Sequence, residues 1–481
     1  MSEGTPAYIG FEEYTEHVPP SIPAAVQQAT GRFIDGRASR VAELPQWEQL
    51  RQIASDIRLH TIENLDVYLT RFEAALQAAG GHIHWAATDE DARQIVIKIA
   101  KEHNVKNAVK SKSMATEEIE LNHALESAGI ETLETDLGEY IIQLAGTGPS
   151  HIIVPAVHLK KEEIADLFNE KLHVDAPADP IELARIARET LRQKFLDADM
   201  GISGANFLVA ETGTLVMVTN EGNGRMVSTM PDLHVAVVGI DKIVPDWESL
   251  TVFLKLLARS ATGQKLSSYT QFITGPRRAE GEYGPKELHI VILDNGRSNV
   301  LKDSVGREVF KCIRCGACAN VCPVYNNVGG FAYGWFISGP IGAIFAPQIL
   351  GTPTARELPF ASTLCGACAD VCPVKISIPA ILRHLRRRVA EGDEVAAPTM
   401  PAPIRASAGF TSLVLAQNWI YRLGTRILPK IMSIFKRTDG WIPSAPYPLN
   451  RWTKGRPLPP FTAHFRKWWS ERFAKGKEHV Q

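Results

Sequence analysis

The sequence predicts an α/β protein in which a sheet layered with helices fills residues 1–300, a helical region follows over 301–391, and a basic segment closes the chain over 392–481. Three observations support this prediction. Helix and strand patterns alternate between residues 81 and 240, which is typical of an α/β sheet. All seven cysteines lie between Cys312 and Cys372. From Pro401 onward, 14 Lys and Arg face only 3 Asp and Glu. A length of 481 residues suits about three domains.

The first part of the α/β region begins with helices and then alternates. The first sixty or so residues predict a helical lead-in. A later helix is bounded by acidic residues in its first turn and by Gly129 at its end. The elements predicted here are a strand at Gly81–Trp85, a helix at Asp89–Asn104, a strand that ends at Val109, and a helix at Ala115–Ala128.

The second part of this region continues the alternation. Pro180 stands in the first turn of a helix, where its missing N–H costs nothing. Val-rich runs on either side of Asn220–Arg225 (NEGNGR) indicate buried strands joined by a turn. The elements predicted here are a buried strand at Ser150–Val157, helices at Lys160–Lys171 and Pro180–Leu196, and strands at Phe207–Val218 and His234–Ile240.

Composition excludes several classes of protein. A net charge of -1 argues against a strongly basic nucleic-acid binder, so no nucleic-acid partner is expected. Hydrophobic residues make up 45% and charged residues 22%, close to the soluble globular average. Seven cysteines are too few for a disulfide framework. The N-terminus has neither a basic start nor an apolar run, so we expect no secretory signal and a cytoplasmic protein with reduced thiols.

The spacing of the cysteines predicts the chemistry. Cys312, Cys315, Cys318 and Cys322, followed by Pro323, form the ferredoxin-type run C-x2-C-x2-C-x3-C-P for a [4Fe–4S] cluster. Iron in such a cluster needs four soft thiolates. Three cysteines on one loop reach three corners of a cubane, and the fourth ligates a second cluster.

A second run lacks one cysteine. Cys365, Cys368 and Cys372 precede Pro373, and Ser362 stands where the full motif has its first cysteine. Exchange of the fourth cysteines predicts that cluster 1 is held by Cys312, Cys315, Cys318 and Cys372, and cluster 2 by Cys322, Cys365 and Cys368. Cluster 2 is then either [3Fe–4S], or [4Fe–4S] with a fourth ligand such as Ser362 or water.

This region admits two other interpretations. CxxC pairs also occur in structural zinc sites, but the doubled run offers too many ligands at unsuitable spacing. Phe331–Leu350 has 20 residues without charge, a length that could span a membrane. Its glycines and prolines, and the cluster ligands on both flanks, favour a dry shell that tunes the cluster potentials, so no transmembrane span is predicted.

The helix after Pro373 is rich in basic residues. These would offset the negative charge of a cluster, dock an acidic partner, or form an ordinary solvated face. The residues concerned are Arg383, His384, Arg386, Arg387 and Arg388.

Two upstream stretches, residues 111–158 (from SKSMATEEIE to VPAVH) and 201–226 (GISGANFLVAETGTLVMVTNEGNGRM), join the cysteine runs in a resemblance. Over essentially its full length, the chain resembles the lactate utilization protein B family, iron–sulfur proteins of a bacterial three-component L-lactate oxidation system. The family's seven-cysteine pattern is matched, with the same gap at Ser362. The resemblance implies two [4Fe–4S] clusters and an α/β domain similar in fold to the sugar-phosphate isomerase and CoA-transferase group.

Three functional hypotheses follow. The first is an electron-transfer subunit for NAD-independent oxidation of L-lactate to pyruvate in growth on lactate, with the other subunits as partners and another carrier, such as a quinone, as acceptor. The second is that the chain is itself the lactate-oxidising catalytic subunit, with substrate near Arg225, so its status as an enzyme stays open. The third is a scaffold with structural clusters. Lactate would reduce the clusters of the isolated protein only if the second hypothesis, that of a catalytic subunit, is correct.

Three polar stretches are candidate sites with ordinary alternatives. Lys110–Ser113 precedes a helix and would hold an anion, or would be a capped helix start with solvated lysines. Asn220–Arg225 would let a ligand approach, with Arg225 clamping a carboxylate, or would be a tight turn. Glu134, Asp136 and Glu139 would supply a general base, although a solvated acidic loop is favoured.

Three histidines and the C-terminal segment are further candidates for a functional role. His151, His158 and His234 adjoin apolar strands and are expected to be satisfied core histidines. The C-terminal segment is basic and rich in tryptophan. It would make peripheral contact with an anionic membrane, or, as favoured, pack on the acidic body of the chain or on a partner subunit. Its tryptophans are Trp419, Trp441, Trp452, Trp468 and Trp469.

Overall fold

A computed structural model describes residues 8–394, 397–446 and 450–459, together with residues 469 and 472. The chain divides into two compact units, one up to Thr399 and one from Met400 onward. The predicted boundary between 1–300 and 301–391 falls inside the first unit and stays a prediction. The last part of the predicted C-terminal segment, Trp468 included, lies mostly outside the described residues.

Four helices open the first unit, so the helical lead-in is confirmed and extends beyond its predicted end. Each turns an apolar face inward; Phe72 and Leu76 on the fourth helix, for example, are fully buried. The helices are α1 (Phe11–Glu16), α2 (Ser21–Ala42), α3 (Trp47–Glu63) and α4 (Leu65–Ala78).

In the part of the chain that the structure describes, ten strands form two sheets. The strands are β1 (His82–Ala86), β2 (Asn107–Lys110), β3 (Glu131–Glu134), β4 (Met200–Ser203), β5 (Phe207–Val209), β6 (Thr214–Thr219), β7 (Leu233–Gly239), β8 (Ile243–Val244), β9 (Tyr269–Ile273) and β10 (Glu287–Leu293). The central sheet has the order β1-β10-β7-β4-β2-β3, and all its pairs are parallel. The smaller sheet has the order β8-β5-β6-β9. Every residue of β7 is buried, as expected for a parallel sheet covered on both faces.

Helices alternate with these strands, which confirms the mixed α/β class. They are α5 (Asp89–Glu102), α6 (Met114–Glu118), α7 (Leu121–Ser127), α8 (Leu137–Ala145), α9 (Lys161–Leu172), α10 (Pro180–Leu196), α11 (Asn223–Thr229) and α12 (Trp247–Ala261). A 3₁₀ helix, Ile240–Lys242, follows β7.

The predicted strand at Ser150–Val157 is wrong. This segment folds into a loop in which the Ser150 N–H donates to the Pro155 carbonyl at 3.0 Å. Its apolar side chains pack against the cysteine-bearing region instead of a sheet, and the Tyr325 hydroxyl donates to the Ser150 carbonyl at 2.7 Å. Burial of this segment therefore comes from a contact distant in sequence, which a local pattern does not distinguish from a strand.

Three other predicted elements differ in detail. The helix at 115–128 is split into α6 and α7 because Glu120 adopts a left-handed φ of 50°. The strand at 207–218 is a hairpin of β5 and β6, with Gly213 at φ 67° in its turn. The segment Asn220–Arg225 is not a tight turn between strands but leads into α11.

The cysteine-bearing region is built of short helices. They are α13 (Arg297–Leu301), α14 (Ala317–Asn320), α15 (Tyr325–Val328), α16 (Gly339–Ile349), α17 (Thr352–Ala355), α18 (Ala367–Val371) and α19 (Ile378–Glu391), with 3₁₀ helices at Gly306–Lys311, Phe331–Tyr333 and Leu358–Phe360. In α16, every residue from Gly339 to Pro347 is buried. Among the described residues, no helix is both long enough and apolar enough to cross a bilayer.

The second unit contains α20 (Ala402–Ala416), α21 (Asn418–Met432), a 3₁₀ helix at Ser433–Phe435, and α22 (Asn450–Gly455). An isolated bridge joins Ile442 to Leu458. Its small core contains Met432, Ile442 and Ala445, while Trp419 is 68% exposed. Packing of this segment on the body of the chain or on a membrane stays a prediction.

Candidate iron–sulfur centre

The first cysteine run forms a loop with two left-handed residues. Arg314 (φ 58°) and Gly316 (φ 72°) flank Cys315, and α14 begins directly after them. The Arg314 backbone N–H donates to the Cys312 Sγ at 3.3 Å. The backbone thus curls so that its amides face the sulfur atoms.

The second run repeats this loop. Leu364 (φ 56°) and Gly366 (φ 92°) flank Cys365, and α18 follows. The Leu364 N–H donates to the Ser362 Oγ at 3.1 Å. Ser362 therefore takes the same place in the second loop as Cys312 takes in the first.

Four of the thiols form what we call the inner thiol set: Cys312, Cys315, Cys318 and Cys372. Burial raises the pKa of Cys315, and the nearby thiols of Cys312 and Cys372 raise it further. Burial, then Cys312, Cys315 and Cys372, and last Cys368, raise the pKa of Cys318. A cysteine of the second run thus lies among three cysteines of the first.

The other three thiols form the outer thiol set: Cys322, Cys365 and Cys368. Burial raises the pKa of Cys368 to about 12, with Cys322 and Cys365 as the next contributors. Cys365 is exposed, and its pKa is lowered, first by the Ala367 backbone N–H and then by a hydrogen bond from Thr363.

The chemistry of these donors fits iron–sulfur clusters. All seven cysteines are free thiols, and six of them are wholly or partly buried. Buried thiols that face one another resist deprotonation in the absence of a cation. Bound iron removes this penalty, because a coordinating thiol is deprotonated outright.

Arginines from the N-terminal helices hold the inner set. Arg37 donates to the Val371 carbonyl at 3.0 Å. Arg51 donates to the Cys372 carbonyl through Nε at 2.9 Å and through Nη2 at 2.7 Å. Arg58 is 1% exposed and donates to the carbonyls of Ile243, Asp241 and Phe310. These bonds fix the backbone on both sides of the inner set and place positive charge beside it.

The basic residues of α19 have separate roles. Arg386 donates to the carbonyls of Pro359 and Ser362, each at 2.8 Å, and so supports the second loop. Arg388 and His384 both bind Asp303, at 2.8 Å. Arg383 and Arg387 are exposed. Of the basic residues on α19, only Arg383 and Arg387 therefore match the prediction of a solvated basic face.

A cavity of about 440 Å³ opens at the carboxyl ends of the parallel strands. Ligands of open α/β sheets bind outside these strand ends. Its walls include Ser111, Gly204, Asn206, Lys242 and Arg314. The stretches Lys110–Ser113 and Asn220–Arg225, predicted as candidate sites, both contribute residues to the cavity, whereas Lys242 and Arg314 were not predicted. Lys242 and Arg314 are far apart in the chain and belong to no common motif, so only the fold brings them together.

The stretch Lys110–Ser113 caps a helix but has no solvated lysines. Lys110 is 1% exposed and pairs with Glu117 and Glu134, each at 2.6 Å. Lys112 donates to the Ile153 carbonyl at 3.1 Å. The ammonium of Lys110 is thus committed to carboxylates, although residues 111–113 line the cavity.

The favoured interpretation of Glu134, Asp136 and Glu139 as a solvated acidic loop is wrong. Glu134 is 3% exposed and pairs with Lys110. Asp136 caps α8, its Oδ1 accepting from the Gly138 N–H at 3.1 Å. Glu139 is 4% exposed, and burial raises its pKa to about 8. The burial of these glutamates was not predictable from the local sequence, because the lysines that pair with them, Lys110 and Lys112, are distant in sequence.

The loop Asn220–Arg225 contributes to the cavity without its arginine. Asn220, Glu221 and Asn223 line the cavity, whereas the Arg225 side chain is exposed and does not. Burial, followed by the proximity of Asp136, raises the pKa of Glu221 to about 7.

The prediction of satisfied core histidines is confirmed in part: His151 and His234 are buried, whereas His158 is half-buried, and the buried Nδ1 of His234 has no hydrogen-bond partner among the described residues. His151 hydrogen-bonds with the Asn320 side chain at 3.1 Å, and His234 with the Ser203 hydroxyl at 2.7 Å. Burial lowers the pKa of both to about 4. His158 hydrogen-bonds with the Ser150 hydroxyl at 2.8 Å. All three are thus held by structural contacts.

Comparison with protein families matches two regions of the chain. Residues 69–293 match the LUD domain, and residues 308–376 match the 4Fe-4S dicluster domain. The first range covers the central sheet, and the second contains all seven cysteines. The mixed α/β fold followed by a ferredoxin-type region is therefore confirmed.

Comparison with curated proteins finds full-length relatives. Lactate utilization protein B of Macrococcus caseolyticus is 44% identical over 94% of each chain, and that of Shouchella clausii is 45% identical over 94% of each chain. The protein of that name from Bacillus licheniformis is 44% identical over 96% of this chain and 98% of its own. A solved DUF162 family protein from Deinococcus radiodurans aligns at 15% identity, covering 48% of this chain and 98% of its own, with a TM-score of 0.27, too low to show a shared fold.

Proposed function

The chain belongs to the lactate utilization protein B family, and from this premise we propose that it is the iron–sulfur electron-transfer component of NAD-independent L-lactate oxidation to pyruvate. One observation supports the proposal: Cys372 of the second loop lies near Cys315 and Cys318 of the first, and of the seven thiols only Cys365 is exposed. Bound at these thiols, [4Fe–4S] clusters would supply one-electron carriers. The protein provides the spacing, the dry shell and the charge around them.

We propose the ligand sets predicted from the spacing. The inner thiol set, Cys312, Cys315, Cys318 and Cys372, would hold cluster 1, and the outer thiol set, Cys322, Cys365 and Cys368, cluster 2. The mutual effects of the thiols on their pKa values support this exchange of fourth cysteines. If each loop held its own cluster, there would be no structural explanation for the position of Cys372 in the inner set.

Ser362 is our proposed fourth ligand of cluster 2. Its Oγ accepts a hydrogen bond from the residue two positions on, as the Cys312 Sγ does. A hydroxyl oxygen is a harder donor than a thiolate, so its iron would be held less firmly. If that iron were lost, cluster 2 would be a [3Fe–4S] cluster. If the iron is retained but Ser362 does not bind it, water is the alternative fourth ligand.

The proposal extends to partners and location. The exposed Cys365 loop would face the other components of the lactate utilization system, with a quinone as one candidate acceptor. We place the protein in the cytoplasm, where thiols stay reduced. We also infer that the α/β domain shares the fold of the sugar-phosphate isomerase and CoA-transferase group, which the parallel sheet is compatible with.

Protein purified without oxygen tests the proposal through its iron and sulfide content and its EPR spectra. We expect about eight iron atoms per chain for two [4Fe–4S] clusters, or about seven if cluster 2 is [3Fe–4S]. Dithionite should reduce the clusters, and L-lactate alone should not. Zinc in place of iron, or clusters that cannot be reduced while the fold persists, would refute electron transfer.

A second function, the lactate-oxidising subunit itself, draws on one observation. The cavity wall contains Ile313 and Arg314, which lie in the chain between Cys312 and Cys315, two proposed ligands of cluster 1. Substrate held there would lie beside cluster 1. Reduction of the clusters by L-lactate alone, without other components, would favour this function over the first.

A further inference from the structure

The cavity at the carboxyl ends of the sheet contains groups that call for an anionic ligand. We propose that it binds a small 2-hydroxy or 2-oxo acid whose carboxylate is held by Arg314 and Lys242. The identity of the acid rests on the proposed function, whereas the affinity for a carboxylate rests on the cavity's own residues. A volume of about 440 Å³ lies within the usual range for small-molecule sites, about 300–1,000 Å³.

Cations outnumber carboxylates at the end of the cavity that adjoins the first cysteine loop. Arg297 is fully paired, with Glu118 at 2.8 and 2.6 Å and with Asp241 at 2.9 Å. Lys242 comes within 3.3 Å of Asp241 without a hydrogen bond to it, since Asp241 Oδ2 has no hydrogen-bond partner. Arg314 has no ion pair among the described residues. Across the described ranges, Lys242 and Arg314 therefore have no carboxylate of their own, because Asp241 is already bound by Arg297.

Arg314 is oriented but not satisfied. Its guanidinium carbon lies 4.3 Å from the centre of the Phe345 ring, a cation–π contact that helps to hold the group in place. Its Nη1 is buried and lacks a hydrogen-bond partner among the described residues. A buried charged group that lacks a hydrogen-bond partner lowers the stability of the fold, because its lost hydration is not replaced. A carboxylate would satisfy this nitrogen, and the planar guanidinium suits two-point binding.

A second unsatisfied group lines the same cavity. Asn223 is 6% exposed, and its Oδ1 is buried without a hydrogen-bond partner in the described part of the chain. Its Nδ2 donates to the Thr135 hydroxyl at 3.4 Å, which leaves the oxygen as a free acceptor. An acceptor in the cavity suits a ligand that carries a hydroxyl donor as well as a carboxylate.

Charge compensation for the inner thiol set would account for only part of this arrangement. Lys242 lies within electrostatic reach of Cys312, so it would also offset thiolate charge. The Asn223 oxygen has no part in such compensation, because an acceptor does not stabilise negative charge. A bound acid accounts for the cations and the acceptor together.

Isothermal titration calorimetry on the full, iron-loaded chain under anaerobic conditions tests the inference with L-lactate, pyruvate and inorganic phosphate. We expect one organic acid to bind per chain. Lys242→Met should weaken binding about tenfold to a hundredfold, as the loss of a charged hydrogen bond does. Arg225→Gln is the matched control, since its side chain is exposed outside the cavity, and should bind as the wild type does.

Arg314→Gln should also weaken binding, and its iron and sulfide content will show whether the loop keeps its cluster. If Arg314→Gln loses its cluster, the inference is judged on the affinity of Lys242→Met alone. Unchanged affinity in Lys242→Met, binding of phosphate alone, or binding of none of the three probes would overturn the inference. Clusters that dithionite reduces in a protein that binds no acid would refute this inference alone. Acid binding by a protein whose clusters resist reduction would refute only the electron-transfer proposal.

Discussion

The inner and outer thiol sets arise from nearly the same sequence motif but differ in the charge around them and in the exposure of one thiol, Cys365. Around the inner set, Arg51 and Arg58 reach in from α3, and Arg37 from α2. At the outer set, Cys365 is exposed and Ser362 replaces a cysteine. The motif determines the shape of each loop, and the elements packed on it determine charge and access to solvent.

This difference suggests separate tasks for the two sets. Positive charge stabilises an added electron, whereas burial opposes it. Because three arginines lie around the inner set, we expect their charge to give cluster 1 the higher reduction potential. Exposure of Cys365 suits electron exchange with a partner protein. Four experiments test the contrast, beginning with the largest expected effect.

Cys372→Ala should remove cluster 1 and leave cluster 2, although Cys372 lies in the second run. The inner set would lose one of its four thiolates, and about half of the iron should be lost. Iron analysis and EPR of the reduced protein measure this. Cys365→Ala is the matched control and should remove cluster 2 only. If Cys372→Ala lost the signal of cluster 2 instead, the exchange of fourth cysteines would be wrong.

Arg58→Met should destabilise the protein more than Arg386→Met. Both arginines donate to carbonyls that lead into a cysteine loop, but Arg58 is 1% exposed and Arg386 is half-buried. Loss of Arg58 leaves buried carbonyls unsatisfied, at a cost of about 3 kcal/mol or more, against about 1 kcal/mol for Arg386. Urea unfolding without oxygen measures both, and equal losses would contradict the contrast.

Ser362→Cys and Cys312→Ser exchange the distinguishing ligands of the two loops. The first variant should make cluster 2 a four-thiolate [4Fe–4S] cluster that survives oxidation better. The second should make cluster 1 prone to lose an iron and become [3Fe–4S]. EPR after mild oxidation follows both changes. If Ser362→Cys left cluster 2 as oxidation-sensitive as before, Ser362 would not be a ligand.

The ferredoxin-type cysteine motif and several helices and strands could be recognised from the sequence, because the residues that determine them are close together in the chain. The helix Pro180–Leu196 is confirmed at both ends, since Asp179 caps it and Pro180 fits its first turn. The buried loop at Ser150–Val157 was not predictable, because its partner is Tyr325. The pairing of Lys110 with Glu134 and the approach of Lys242 to Arg314 also depend on contacts distant in sequence.

The smallest effect is a difference in thiol reactivity, which compares the two sets within one molecule. In protein stripped of iron, Cys365 should react with iodoacetamide first, because its exposed thiol has a lowered pKa. Cys368, whose pKa burial raises to about 12, should react far more slowly at neutral pH. Raising the pH should therefore speed alkylation at Cys368 more than at Cys365, as peptide mass spectrometry can follow. Iron-loaded protein should be protected at both positions. Faster alkylation of Cys315 than of Cys365 would mean that the inner set is not the sheltered one, and the contrast between the sets would fail.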